Sequence, residues 1–138
     1  MVEGCPSALT AEERALAAFV ASSRNGTPHC GSGLRLKLRE LGVDPDLVGQ
    51  LAPGDAVPLT GERRRDAILA YAAKLTSAPG TIVEDDVGLL RTAGLDDLEI
   101  LDLNNIVAYY NYINRVANGL GLREPIATAH EALGAVPA

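Results

Sequence analysis

The residue best placed for chemistry is Cys30, because of where it falls in the chain. Thr27-Pro28 reads as a helix start, a hydroxyl acceptor for orphan N–H groups followed by a residue whose φ is already helical. Cys30 then sits at about the third helical position, with His29 alongside. Unpaired N–H groups and the helix dipole favour a thiolate there, and His29 could carry a proton. A blander alternative stays open: Cys30 as a small buried hydrophobe on a face shared with Leu34 and Leu38. Glu12 could supply a carboxylate to the same region, although a first-turn acid is also explained by the dipole alone. Cys5 could act as a distant resolving thiol, and His130 has no evident partner. Two histidines and no Cys-His cluster predict neither a metal site nor a resident cofactor.

A second group of polar residues lies on one long helix. Residues 96–122 hold no proline, and their only glycines, Gly119 and Gly121, come at the end, which permits about seven turns. At about 100° per residue, Leu103, Ile106, Tyr109, Tyr110, Ile113, Val116, Ala117 and Leu120 share a broad apolar face. Asn104, Asn111, Arg115 and Asn118 share the opposite one, with Asn114 beside them. A surface helix would carry Lys and Glu there. The amides predict packing on both sides, against the chain's own core and against a second layer or another subunit. Asn111 and Arg115 could also bind a small polar ligand between helices.

Other elements announce themselves by their caps. Thr10 and Glu13 form a capping box before the stripe Leu16, Phe19, Val20. Thr81 and Glu84 are expected to repeat it, with Gly94 as the stop. Asp96 and Glu99 do so again, with Leu95 and Ile100 placed as a hydrophobic staple. Thr60 is expected to cap a helix running to Leu75. Residues 33–41 alternate like a strand, yet Cys30, Leu34, Leu38 and Leu41 also share a helical face. No second strand is available to pair with, so a helix is expected. Residues 52–58 read as a loop, and residues 125–133 as a short helix in the tail.

The 138 residues make one domain: an arm over 1–8, core helices over 9–122 and a tail over 123–138. Trp is absent and aromatics are few, so Ala, Leu and Val must fill the interior, which suits close-packed helices. A net charge of -6 argues against nucleic acid as a partner. The run Arg63-Arg64-Arg65, flanked by Glu62 and Asp66, reads as a solvated helix face. No apolar segment reaches the ~20 residues of a membrane span. The N-terminal residues lack a signal-peptide pattern, so a cytoplasmic location is expected.

Two stretches resemble the alkyl hydroperoxidase D-like (AhpD-like) superfamily, which includes the carboxymuconolactone decarboxylases. Tyr109-Tyr110-Asn111-Tyr112-Ile113-Asn114-Arg115-Val116-Ala117-Asn118-Gly119 is similar to the last helix of its peroxidase-related members. Leu9-Thr10-Ala11-Glu12-Glu13-Arg14 with Ser23-Arg24-Asn25-Gly26 is similar to the helix leading into their redox motif. The resemblance implies an all-α, AhpD-like helical bundle that assembles as homodimers, trimers or hexamers. It also implies peroxide reduction with an external thiol reductant. Redox-active members carry E-x11-C-x2-C-x3-H, in which one thiolate attacks peroxide, a second resolves the sulfenic acid, and Glu and His manage protons.

Of that motif only the second cysteine is kept, as Cys30. Ala15, Thr27 and Leu34 stand at the Glu, first Cys and His positions. Thr27 therefore preserves the helix start without the thiol. The expected function is at most a one-cysteine peroxidase working through Cys30. The alternative is a non-catalytic oligomeric or ligand-binding member, with Thr27 and Ser32 in the binding site. A third reading is decarboxylase-like chemistry on a small organic acid, anchored by Arg115 or by Gly31-Ser32-Gly33 at the helix start.

Overall fold

The helix that opens the described chain is apolar almost all round, and a helix of that kind must be enclosed by others. Every residue of α1 (Ala11–Arg24) from 15 to 22 is buried. In the computed structural model, which describes residues 8–52 and 57–125, α1 packs against α2 (Pro28–Glu40), α4 (Arg63–Ser77) and α6 (Asp97–Gly119). Ala17, Ala18 and Ala21 let those helices approach closely, and Phe19 fills the centre at 1% exposure. The remaining elements are α3 (Pro45–Gln50), a 3-10 turn over Pro79–Thr81 and α5 (Glu84–Thr92). The described residues contain no strand, so the fold is the all-α, AhpD-like bundle expected.

The ambiguous segment 33–41 lies in α2, with Leu34 and Leu38 buried and the misfit Leu36 half-buried. The capping box of α1 forms as read: Glu13 N–H donates to Thr10 Oγ1 (3.1 Å) and Thr10 N–H to Glu13 Oε1 (3.0 Å). Asp96 caps α6 by accepting from Glu99 N–H at 2.9 Å.

Three expectations need correction. Thr60 does not cap α4. Gly61, at φ +84°, turns the chain before the helix, so the Thr60 hydroxyl and N–H both meet Asp66 Oδ1, at 2.6 and 2.8 Å. Those two hydrogen bonds hold the Asp66 carboxyl below its ordinary value. Thr81 does not cap α5. The chain between Pro79 and Thr81 is spent in the 3-10 turn, and the helix begins after Val83, whose N–H donates to Asp86 Oδ2 at 2.8 Å. The buried face of α6 is rotated from the one read: it carries Leu103, Ile106, Val107, Tyr110, Asn114 and Ala117, whereas Val116 and Leu120 are exposed.

One element was missed. α3 begins at Asp44-Pro45, the same acceptor-then-proline signal as Thr27-Pro28, and Asp44 Oδ1 accepts from Asp46 N–H at 2.9 Å. The arginine run is not a bare solvated face either. Arg64 bridges Glu13 and Glu99, each at 2.6 Å, and Arg65 bridges Glu12 (2.8 Å) and Glu62 (3.3 Å). Cys5, most of the 52–58 loop, the tail helix and His130 lie outside the described residues.

Candidate functional site

The turn between α1 and α2 determines where the candidate residues point. Asn25 ends α1, and Gly26 takes φ +61°, a left-handed conformation that a residue with a Cβ adopts only with strain. Thr27 N–H then donates back to Ser22 O at 3.0 Å, closing the turn. The amides of α6 hold it from below. Asn25 Nδ2 donates to Asn111 Oδ1 (2.9 Å), Asn118 Nδ2 to Asn25 O (3.1 Å), and Ser22 Oγ to Asn114 Oδ1 (3.1 Å). Asn111 in turn donates to Thr76 Oγ1 (3.1 Å) and Val107 O (2.9 Å), and Arg115 Nη1 donates to Asn111 Oδ1 (3.1 Å). The amide face thus meets a second layer of its own chain, and Asn111 and Arg115 position the turn.

The segment after α6 closes over the same turn. Arg123 Nη1 donates to Gly26 O at 3.3 Å, and His29 Nδ1 lies 2.8 Å from Glu124 O. A carbonyl oxygen only accepts, so this bond assigns the proton to Nδ1 and leaves Nε2 the basic nitrogen of the neutral ring.

Two cavities flank the start of α2, and they separate His29 and Cys30 from Thr27 and Ser32. His29 and Cys30 line a groove of about 520 Å³ together with Lys37, Tyr109, Tyr110 and Ile113. Cys30 is a free thiol at 8% exposure, and burial pushes its pKa up, where the helix start alone would lower it. Thr27 and Ser32 line a cleft of about 360 Å³ on the other side, with Phe19, Arg35 and Pro125. Thr27 is 2% exposed, its Oγ1 makes no hydrogen bond among the described residues, and it places no side-chain cap on the helix it begins.

Glu12 is brought to neither cavity. It pairs with Arg65 beside Glu13 and Leu16, in a groove that shares no lining residue with the Cys30 groove. Among the described residues no three His, Cys, Asp or Glu side chains converge as a metal site, and no helix is long and apolar enough to cross a membrane.

Sequence reasoning missed Phe19, Ser22 and Arg35. The signal for Arg35 was present, since Pro28, Gly31, Ser32 and Arg35 follow i, i+3, i+4, i+7 spacing and so share one face of α2. Its guanidinium lies 5.2 Å from the centroid of the Phe19 ring.

No protein-family model matches the chain, and no curated protein sequence matches it. Solved structures do. A peroxidase-related protein of uncharacterised function from Silicibacter sp. is 35% identical over 83% of this chain and 59% of its own, with a TM-score of 0.70. A second, described as an alkylhydroperoxidase AhpD core from Ralstonia eutropha, is 28% identical over 86% of this chain and 62% of its own, with a TM-score of 0.72. A protein of unknown function from Agrobacterium tumefaciens, 23% identical with a TM-score of 0.72, shares the fold. The chain is thus similar in fold, and in part in sequence, to peroxidase-related and AhpD-core proteins, which supports its resemblance to the AhpD-like superfamily. It spans about three-fifths of the length of the first two relatives.

Proposed function

We propose that this chain is a peroxidase-related, AhpD-like domain that binds a small molecule at the start of α2 and does not reduce peroxide through a cysteine pair. One observation carries the reading: the helix start presents a buried, unpartnered Thr27 hydroxyl where the superfamily motif would carry a thiol. The remaining thiol supports it from the other side of the helix. Desolvation disfavours the thiolate of Cys30, and the thiolate is the form that attacks peroxide.

Mixing the protein with hydrogen peroxide and a sulfenic-acid probe tests this. Cys30 should react no faster than free cysteine. The second reading, a one-cysteine peroxidase, draws on His29 and Cys30 lining one groove, with Nε2 of His29 free to accept a proton. In that case the Cys30 sulfur, giving up its proton to His29, takes one peroxide oxygen as the O–O bond breaks. The other oxygen leaves as alcohol or water on receiving that proton. Two external thiols then return the sulfenic acid to the thiol through a mixed disulfide, releasing water. A rate well above that of free cysteine, lost in His29→Gln, would establish it and end the binding-only reading.

The same proposal includes self-association. Leu98, Leu101, Tyr112, Val116 and Leu120 lie along one exposed face of α6, a longer apolar stripe than a solvated helix carries. Sedimentation should find an oligomer, and Tyr112→Glu should dissociate it.

A further inference from the structure

We propose that the cleft on the Thr27 side of α2 takes a carboxylate carried on a small apolar body, such as an aryl or short alkyl acid. The inference rests on the binding reading above and names the chemistry of its ligand.

Three features of the cleft converge on that class. Thr27, almost wholly buried, lines the cleft, and its hydroxyl has no partner among the described residues, which is costly for a buried polar group. Its hydrogen is therefore available to an acceptor. The neighbouring Ser32 hydroxyl already donates to His29 O at 2.9 Å, so its hydrogen is engaged.

Arg35 is the second feature. Its guanidinium is set against the Phe19 ring at 5.2 Å, and it makes no ion pair with any described carboxylate. Arg64 and Arg65, in the first turn of α4, are by contrast each neutralised by two carboxylates, although Arg63 beside them makes no ion pair among the described residues. An unneutralised guanidinium beside an uncapped helix start selects a negative ligand, because the dipole and the cation act in the same sense.

The walls supply the third feature. Pro28 and Pro125 offer apolar surface, with the buried Phe19 ring behind it, and a single guanidinium matches one negative charge better than two. A space of about 360 Å³ accommodates a molecule of the size of benzoate with room to spare.

Calorimetry on the full chain with benzoate, benzyl alcohol and inorganic phosphate as probes tests the inference. Benzoate should bind about tenfold more tightly than either of the others, the difference one charge-assisted contact makes. Arg35→Gln should abolish that preference and leave the affinity for benzyl alcohol unchanged. Arg39→Gln, which removes the same charge from an exposed position on the same helix, should leave the preference intact. Thr27→Val should weaken benzoate several-fold. Equal binding of benzoate and benzyl alcohol would overturn the carboxylate inference while the binding reading stands. Equal binding of phosphate would overturn the requirement for an apolar body. Binding of none of the three would end both the inference and the reading beneath it.

Discussion

The starts of α1 and α2 are built from similar material and finished in opposite ways. At α1, Thr10 and Glu13 satisfy each other's backbone groups, and the Glu13 carboxylate goes on to Arg64, which also holds Glu99. Acids fill its first turn. At α2, Thr27 occupies the equivalent position but its hydroxyl bonds no described residue, no acid stands in the first turn, and the cation eight residues on makes no ion pair among the described residues. The cap of the first is closed by its own side chains and ion pairs, a structural arrangement, although Arg14 Nε beside it is buried without a hydrogen-bond partner among the described residues. The second keeps unused donors in a partly enclosed cleft, an arrangement that costs stability and makes sense where a ligand completes it.

The contrast can be broken at the closed end first. Arg64→Ala should lower stability by about 3 kcal/mol in chemical denaturation, because two part-buried carboxylates lose their shared partner. A loss near zero would mean that the α1 start is less closed than its geometry indicates.

A smaller effect is expected in acid. Burial acts to raise the Glu13 pKa, but the Arg64 and Thr10 hydrogen bonds outweigh it and hold the carboxyl below its ordinary 4.5. Its stabilisation is therefore full above that value and lost as pH falls through the lower, folded-state value. In Arg64→Ala this part of the acid limb should shift to higher pH.

The smallest change is expected at the open end, with the opposite sign. Thr27→Val keeps the shape and removes the orphan hydroxyl, so the ligand-free protein should gain about 1 kcal/mol. A variant that is more stable yet binds benzoate less well separates a ligand site from a packing defect. Loss of stability in Thr27→Val would show that the hydroxyl has a structural partner after all.

Much of this was legible from spacing. Caps at Thr10 and Asp96 and the length of α6 follow from local rules, and the structure carries them out. Thr60 and Thr81 misled because a cap depends on backbone angles that side-chain identity does not encode: a left-handed Gly61 in one case, a 3-10 turn in the other. The face of α6 was misjudged because hydropathy treats Asn as a surface residue. Asn114 is completely buried, since Ser22 on α1 accompanies it, and that pairing links residues 92 apart. At the site, the helix start and Cys30 could be read. The raised thiol pKa could not, because it depends on what covers Cys30. The role of Arg35 needed Phe19 from another helix.

The clasp of residues 123 and 124 on the α2 start also bears on how the chain folds. Arg123 meets Gly26 across 97 positions and His29 meets Glu124 across 95, so these bonds cannot form until both ends of the described chain have come together. Closing loops of that length costs more entropy than pairing α1 with α2, which are neighbours in sequence, and the comparably distant Ser22–Asn114 bond carries the same cost. Amide exchange at 122–124 and in the first turn of α2 should report one shared local opening, well before the α1 core yields.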